Sequence, residues 1–124
     1  MLETSDLIAF VSSSDAKRAR EFYAETLGLT LEEESPFAVV FEVNGVMLRV
    51  TVVDSVQPAP YTVLGWRVDD IDATVRSLAA RGVAFLRYEG MGQDTLGIWR
   101  APSKARIAWF KDLDGNILSL TELA

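Results

Sequence analysis

Apolar and polar positions follow one another along the chain in two rounds of the same order. Leu7 to Val11 is a continuous apolar run, the pattern of a buried strand. Ser12-Ser13-Ser14-Asp15 breaks it, and Ser14 or Asp15 is suited to cap a helix by accepting a backbone N–H. Ala19, Phe22, Tyr23 and Leu27 then recur at helical spacing, with Gly28 as the stop. Leu29 to Glu33 reads as a short strand and Ser35-Pro36 as a turn. Phe37 to Val43 is apolar and β-branched, and Asn44-Gly45 is a strong hairpin signal leading into a strand over Val46 to Val53. Asp54 to Pro60, with Pro58 and Pro60, reads as a linker.

The pattern then begins again. Tyr61 to Val68 reads as a strand, Asp69-Asp70 as a cap, and Ile71, Val75 and Leu78 as a helical stripe closed by Arg81-Gly82. Val83 to Tyr88 and Thr95 to Arg100 read as strands on either side of the loop Gly90-Met91-Gly92. Arg106 to Lys111 is expected to pair with Ile117 to Glu122 across Leu113-Asp114-Gly115-Asn116. Overlaid, the rounds match: Leu48 and Leu118 each lie three residues after their turn glycines, Gly45 and Gly115. The natural reading is an α+β fold of two tandem βαβββ modules, neither large enough alone for a stable core. The expected result is one domain over residues 1–124, with module one at about 5–54, a linker at about 55–60 and module two at about 61–124. The modules are expected to form a curved mixed sheet around a cavity, with the helices outside.

Composition narrows the chemistry. The chain has no histidine and no cysteine, which removes disulfides, thiolate metal sites and His-dependent triads. A net charge of −6 argues against a nucleic-acid partner, because phosphate contacts need a basic face. No apolar run approaches the length of a membrane span, and the acidic N-terminus lacks the basic region of a secretory signal. The expected setting is cytoplasmic.

Three stretches carry a family resemblance. Asp15 with Glu21-Phe22-Tyr23-Ala24-Glu25-Thr26-Leu27-Gly28-Leu29, then Val68-Asp69-Asp70-Ile71-Asp72-Ala73, then Lys111-Asp112-Leu113-Asp114-Gly115-Asn116-Ile117-Leu118-Ser119-Leu120 occur in order across nearly the whole chain. Together they resemble the vicinal-oxygen-chelate superfamily, which includes glyoxalases and bleomycin-resistance proteins; Leu113 stands where that family usually has proline. The resemblance implies paired βαβββ modules, commonly a homodimer, and in metal-using members four His, Glu or Gln ligands facing a cavity. Those ligand positions fall on Ile8, Arg49, Val63 and Ser119, which cannot bind a divalent metal as a set. No metal or other cofactor is therefore expected.

Strand periodicity places further residues on the face of those four positions: Phe10 and Ser12, Met47 and Thr51, Gly65 and Arg67, Ile117 and Thr121. A small-molecule pocket and a filled core both fit that set. Arg49 and Arg67 read as a clamp for an anionic or carbonyl-bearing ligand, as members of internal salt bridges with Glu42 or Glu89, or as side chains snorkelling to solvent. Among the aromatics Tyr61, Trp66, Trp99 and Trp109, Trp66 has the parity of a core residue, and Trp99 and Trp109 suit packing, a dimer interface or ligand stacking. Gly90-Met91-Gly92-Gln93 lacks the helix and Lys-Ser/Thr of a phosphate loop and reads as a flexible rim. The candidate ligand-binding residues are Ile8, Phe10, Arg49, Val63, Arg67, Trp99, Ser119 and Thr121, with no catalytic residue assigned. The first functional reading is a metal-independent binding protein that sequesters a drug or metabolite as a homodimer. The second is an enzyme of the same family working without the His/Glu metal site, with Glu42, Glu89 or Glu122 as base. The third is a structural or regulatory dimer with a filled cavity.

Overall fold

The computed structural model describes residues 1–124, and the chain divides into two compact units, Met1–Gln57 and Pro58–Ala124. Each unit carries one four-stranded mixed sheet with a helix on one face, so the fold is α+β. No helix is long and apolar enough to cross a membrane.

In the first unit the strands are β1 (Ile8–Ser13), β2 (Thr30–Glu34), β3 (Ala38–Val43) and β4 (Val46–Val52), with spatial order β1-β4-β3-β2. β1 runs parallel to β4, and the other neighbours are antiparallel. Asn44 (φ 48°) and Gly45 (φ 86°) make the β3–β4 turn with both central residues left-handed, as the shortest hairpins require. Helix α1 (Ala16–Arg20) is capped by Asp15, which accepts the Arg18 N–H at 3.1 Å. From Glu21 to Thr26 the helix widens into a π-helix, marked by the Leu27 N–H reaching the Phe22 carbonyl at 2.9 Å. The pattern of Ala19, Phe22, Tyr23 and Leu27 predicts one regular helix and gives no sign of that widening. Ala19, Phe22 and Tyr23 are buried, as are Val11, Val39, Phe41, Leu48 and Val50 of the sheet. The Tyr23 and Phe41 ring centroids lie 5.8 Å apart, so this is the face on which the helix packs.

In the second unit β5 (Thr62–Arg67), β6 (Trp99–Arg100), β7 (Arg106–Lys111) and β8 (Ile117–Glu122) take the corresponding order β5-β8-β7-β6, with β5 parallel to β8. Helix α2 (Ile71–Ala80) is capped by Asp70, which accepts the Ala73 N–H at 3.0 Å. It buries Ile71, Val75 and Leu78 beside β7 and β8, which contribute buried Ala108, Phe110, Leu118 and Leu120. Arg106 on β7 forks onto Asp72 of α2 at 2.6 and 3.0 Å, and Glu122 of β8 accepts the Ile71 N–H at 3.1 Å. The turn before β8 is held by Asp112. Its carboxylate accepts the Asp114 and Asn116 N–H groups at 2.9 Å each and the Asn116 side-chain amide at 2.8 Å.

Two expected strands differ from the structure. Val83–Tyr88 is not a strand; it meets β7 through a single bridge, Phe85 to Phe110, with the Leu86 N–H donating to the Trp109 carbonyl at 2.8 Å. Thr95–Arg100 contracts to Trp99–Arg100. A βαβββ unit has room for three strands after its helix, and the apolar pattern supplied four. The two pieces share one edge of β7, and the backbone between them bonds to side chains instead of to a ladder.

Candidate functional site

Each sheet has a second face, turned away from its helix. In the first unit Ile8, Phe10 and Ser12 pair in register with Met47, Arg49 and Thr51, and partnered residues share a face. Ile8 and Met47 are each 45% exposed and Phe10 is 60% exposed, while Arg49 is half-buried. Three of the expected site residues, Ile8, Phe10 and Arg49, thus share this open face. Nearby, at the end of the β3–β4 hairpin, a cleft of about 240 Å³ is lined by Glu32, Val40 and Met47 among others.

In the second unit the register sets two rows across the open face. One runs Arg67, Thr121, Ile107, Trp99; the other runs Gly65, Ser119, Trp109. Arg67, Trp99, Ser119 and Thr121 therefore share this face. Gly65 is the low point of its row: a Cβ there would stand 2.6 Å from Ser119 Oγ. Val63 is exposed but out of register, because a ladder irregularity sets Thr62 opposite Ile117.

A cleft of about 300 Å³ opens on this unit, lined by Pro60, Tyr61, Thr62, Tyr88, Met91, Trp109 and Ile117. Trp109 is one of its walls. The Tyr88 and Trp109 rings meet in a T-shaped contact, with centroids 5.4 Å apart and an 87° interplanar angle, and Trp99 lies tilted against Trp109 at 6.0 Å. None of the eight expected site residues lines the cleft itself; Trp99 touches its wall through Trp109, and Ser119 is the register partner of Trp109. The apolar pattern places Tyr88 in a strand and Met91 in a flexible rim, so neither stands out in the sequence as a cleft residue. The one signal for them was the glycine pair around Met91.

Side chains brace the segment on either side of Gly90-Met91-Gly92. Gln93 accepts the Tyr88 N–H at 2.7 Å through Oε1, and its Nε2 donates to the Leu86 and Gly97 carbonyls at 2.9 and 2.8 Å. Arg87 donates to the carbonyls of Asp94 and Thr95, at 2.5 Å each. The Asp94 carboxylate accepts the Leu96 and Ile98 N–H groups at 2.9 Å each.

The cleft lining carries no carboxylate and no basic group. Of the three carboxylates considered as bases, Glu42 accepts the Gly45 N–H in its turn and Glu122 is held by Ile71 and Arg106. Glu89 is exposed and off the cleft lining. The ion pairs join Lys17 to Glu21, Arg20 to Glu34, and Arg106 to Asp72 and Glu122, so Arg49 and Arg67 take neither Glu42 nor Glu89 as a partner. Asp72 is held below the usual aspartate range by its hydrogen bond to Arg106, and Arg106 is raised by the same contact. That pair joins a helix to a strand and does not line the cleft. A metal fits poorly: Ile8 and Val63 offer no donor atom, Arg49 is a fixed cation, and no three acidic side chains come together.

The family model of the Glyoxalase/Bleomycin resistance protein/Dioxygenase superfamily matches residues 6–120. TnmS3, an antibiotic binding protein from Streptomyces sp. CB03234, is similar at 25% identity and a TM-score of 0.73, over 100% of this chain and 99% of that one. A member of the same superfamily from Sphaerobacter thermophilus DSM 20745 is 25% identical at a TM-score of 0.75, over 98% and 99% of the two chains. Lactoylglutathione lyase from Agrobacterium tumefaciens shares the fold at 17% identity and a TM-score of 0.74, over 96% and 93%. No curated protein matches the chain in sequence.

Proposed function

Given that the chain belongs to the Glyoxalase/Bleomycin resistance protein/Dioxygenase superfamily, we propose that it is a metal-independent small-molecule-binding protein that sequesters a drug or metabolite. The observation that carries this reading is the cleft around Trp109. It is walled by aromatic and aliphatic side chains with a few hydroxyls, as small-molecule sites are, and holds no group able to move a proton at neutral pH. The chemistry of Ile8, Arg49, Val63 and Ser119 speaks against a metal, and the likeness to an antibiotic binding protein over the full length of both chains supports a ligand. The alternative, an enzyme working without the family's metal site, lacks a free carboxylate at the cleft, since Glu42 and Glu122 are occupied structurally.

The reading includes a homodimer and a cytoplasmic setting. Exposed Phe10, Ile8 and Met47 on one open sheet face are the apolar surface that a second copy would cover. A chain without disulfides loses nothing in a reducing compartment. The test is a thermal-shift screen of divalent metals beside bleomycin-like drugs, aromatic metabolites and organic acids. A native-state ligand at a hundred times its Kd stabilises by about 2.7 kcal/mol, a rise in melting temperature of roughly 10 °C for a chain this size. Such a shift with an organic compound and none with metals is the expected result. A saturable shift with nickel, zinc or manganese alone overturns the reading.

A further inference from the structure

We propose that Asn44 is a covalent modification site, losing its side-chain amide through a succinimide when the β3–β4 hairpin opens, and that Glu42 is the positioning residue that holds the hairpin shut. This is independent of any ligand the chain binds, and three observations carry it.

The first is the sequence and openness of the turn. Asn44 precedes a glycine, which has no side chain to keep its main-chain nitrogen from the Asn44 Cγ. Both residues are exposed, and a Cβ built on Gly45 meets nothing within 4 Å, so water reaches the turn. The second is the conformation that restrains the reaction. With Asn44 left-handed at φ 48°, the Gly45 nitrogen lies nearly opposite the Asn44 side chain across the Cα–C bond, and the ring cannot close. Closure requires the turn to leave that conformation. The third is what opposes its leaving. The Glu42 carboxylate accepts the Gly45 N–H, a charge-assisted bond on the very nitrogen that must attack. The chain's other asparagine shows the contrast: Asn116 is buried, precedes Ile117, and gives both its main-chain N–H and its side-chain amide to Asp112.

In the opened hairpin the Gly45 nitrogen loses its proton to solvent and bonds to Asn44 Cγ. The Cγ–Nδ2 bond breaks, and the amide nitrogen takes up a proton and leaves as ammonia. Water then opens the ring at either carbonyl, giving aspartate or isoaspartate and one more negative charge on a chain of net charge −6. Isoaspartate lengthens the main chain by an atom, which the tight turn cannot take with Val43 still opposite Val46. The modification therefore alters the cleft of about 240 Å³ that Glu42, Gly45, Val46 and Met47 help to line.

The test is ageing of the full chain at neutral pH, folded and in urea, with conversion at Asn44 and Asn116 followed by peptide mass spectrometry that separates aspartate from isoaspartate. Asn44 should convert about a hundredfold more slowly in the folded chain than in urea, where it should convert well ahead of Asn116. Glu42→Ala should speed folded-state conversion at Asn44 about tenfold and leave the rate in urea unchanged. Glu42→Gln, whose Oε1 can still accept the Gly45 N–H, should stay within about threefold of the parent. In the parent, hydrogen exchange at the Gly45 N–H should be at least about tenfold slower than in the unfolded chain. A general loosening of the fold would speed Asn116 too, so the two sites accelerating together in Glu42→Ala overturns the role of Glu42. An unchanged or slower Asn44 in that variant overturns it as well. Exchange of the Gly45 N–H at the unfolded rate does so whether or not the variants fold. Conversion of Asn44 in urea no faster than Asn116, or as fast folded as unfolded, overturns the site and its restraint by the hairpin.

Discussion

Gly65 and Ser119 offer a sharp test of how the open face of the second sheet is built. The two are register partners on β5 and β8, and a Cβ added to Gly65 would sit 2.6 Å from Ser119 Oγ and 3.3 Å from the Ser119 carbonyl oxygen. The first approach is far inside van der Waals contact, while the second asks the backbone to give only a few tenths of an ångström. Gly65→Ala therefore adds an overpacking cost of about 2 kcal/mol, offset by about 0.7 kcal/mol because alanine orders more cheaply than glycine in a strand. The net expectation is a loss of about 1.3 kcal/mol. Ser119→Ala alone should be nearly neutral, within about 0.5 kcal/mol, because the hydroxyl has no hydrogen-bond partner in the protein to lose. In the double variant the worst contact is gone and the gain from alanine remains, so stability should return to within about 0.5 kcal/mol of the parent. Urea unfolding of the four proteins, with a common m value, gives the coupling. If Gly65→Ala is as stable as the parent, or if the two changes simply add, then Ser119 does not press on the glycine and this account of the face is wrong.

Two further changes test the scaffold. Asp112→Ala removes the acceptor of three hydrogen bonds in a buried turn and should cost about 3 kcal/mol by chemical denaturation, whereas a loss under about 1 kcal/mol would mean the turn holds without it. Asp72, whose folded-state pKa lies below its unfolded value, contributes stability that is present above about pH 4 and is lost as the pH falls through the folded pKa. Asp72→Asn should therefore flatten part of the acid limb of the stability curve, read from melting temperatures between pH 2 and 6. An unchanged acid limb would refute a folded-state role for its pairing with Arg106.

The local rules of the chain were legible from its residues. Asp15 and Asp70 cap their helices, Asn44-Gly45 makes its hairpin, and the two rounds of strand and helix fall in the same order in both units, because caps, turns and alternation are decided by neighbours a few residues apart. The superfamily was legible too, since its marks lie in those same helix starts and in the Asp112 turn. The cleft was not. Two of its lining residues, Trp109 and Tyr88, lie twenty-one positions apart, and they meet where the Leu86 N–H docks on the Trp109 carbonyl. The segment from Val83 to Ile98 carries strand-like apolar residues, yet its backbone is satisfied by Gln93, Arg87 and Asp94, side chains whose partners no periodicity announces. Alternation along the strands groups residues by sheet face, as Ile8 with Phe10 and Ser119 with Thr121. Which residues enclose space on that face was decided only by tertiary structure, because enclosure depends on side-chain bonds that fix a non-repeating loop.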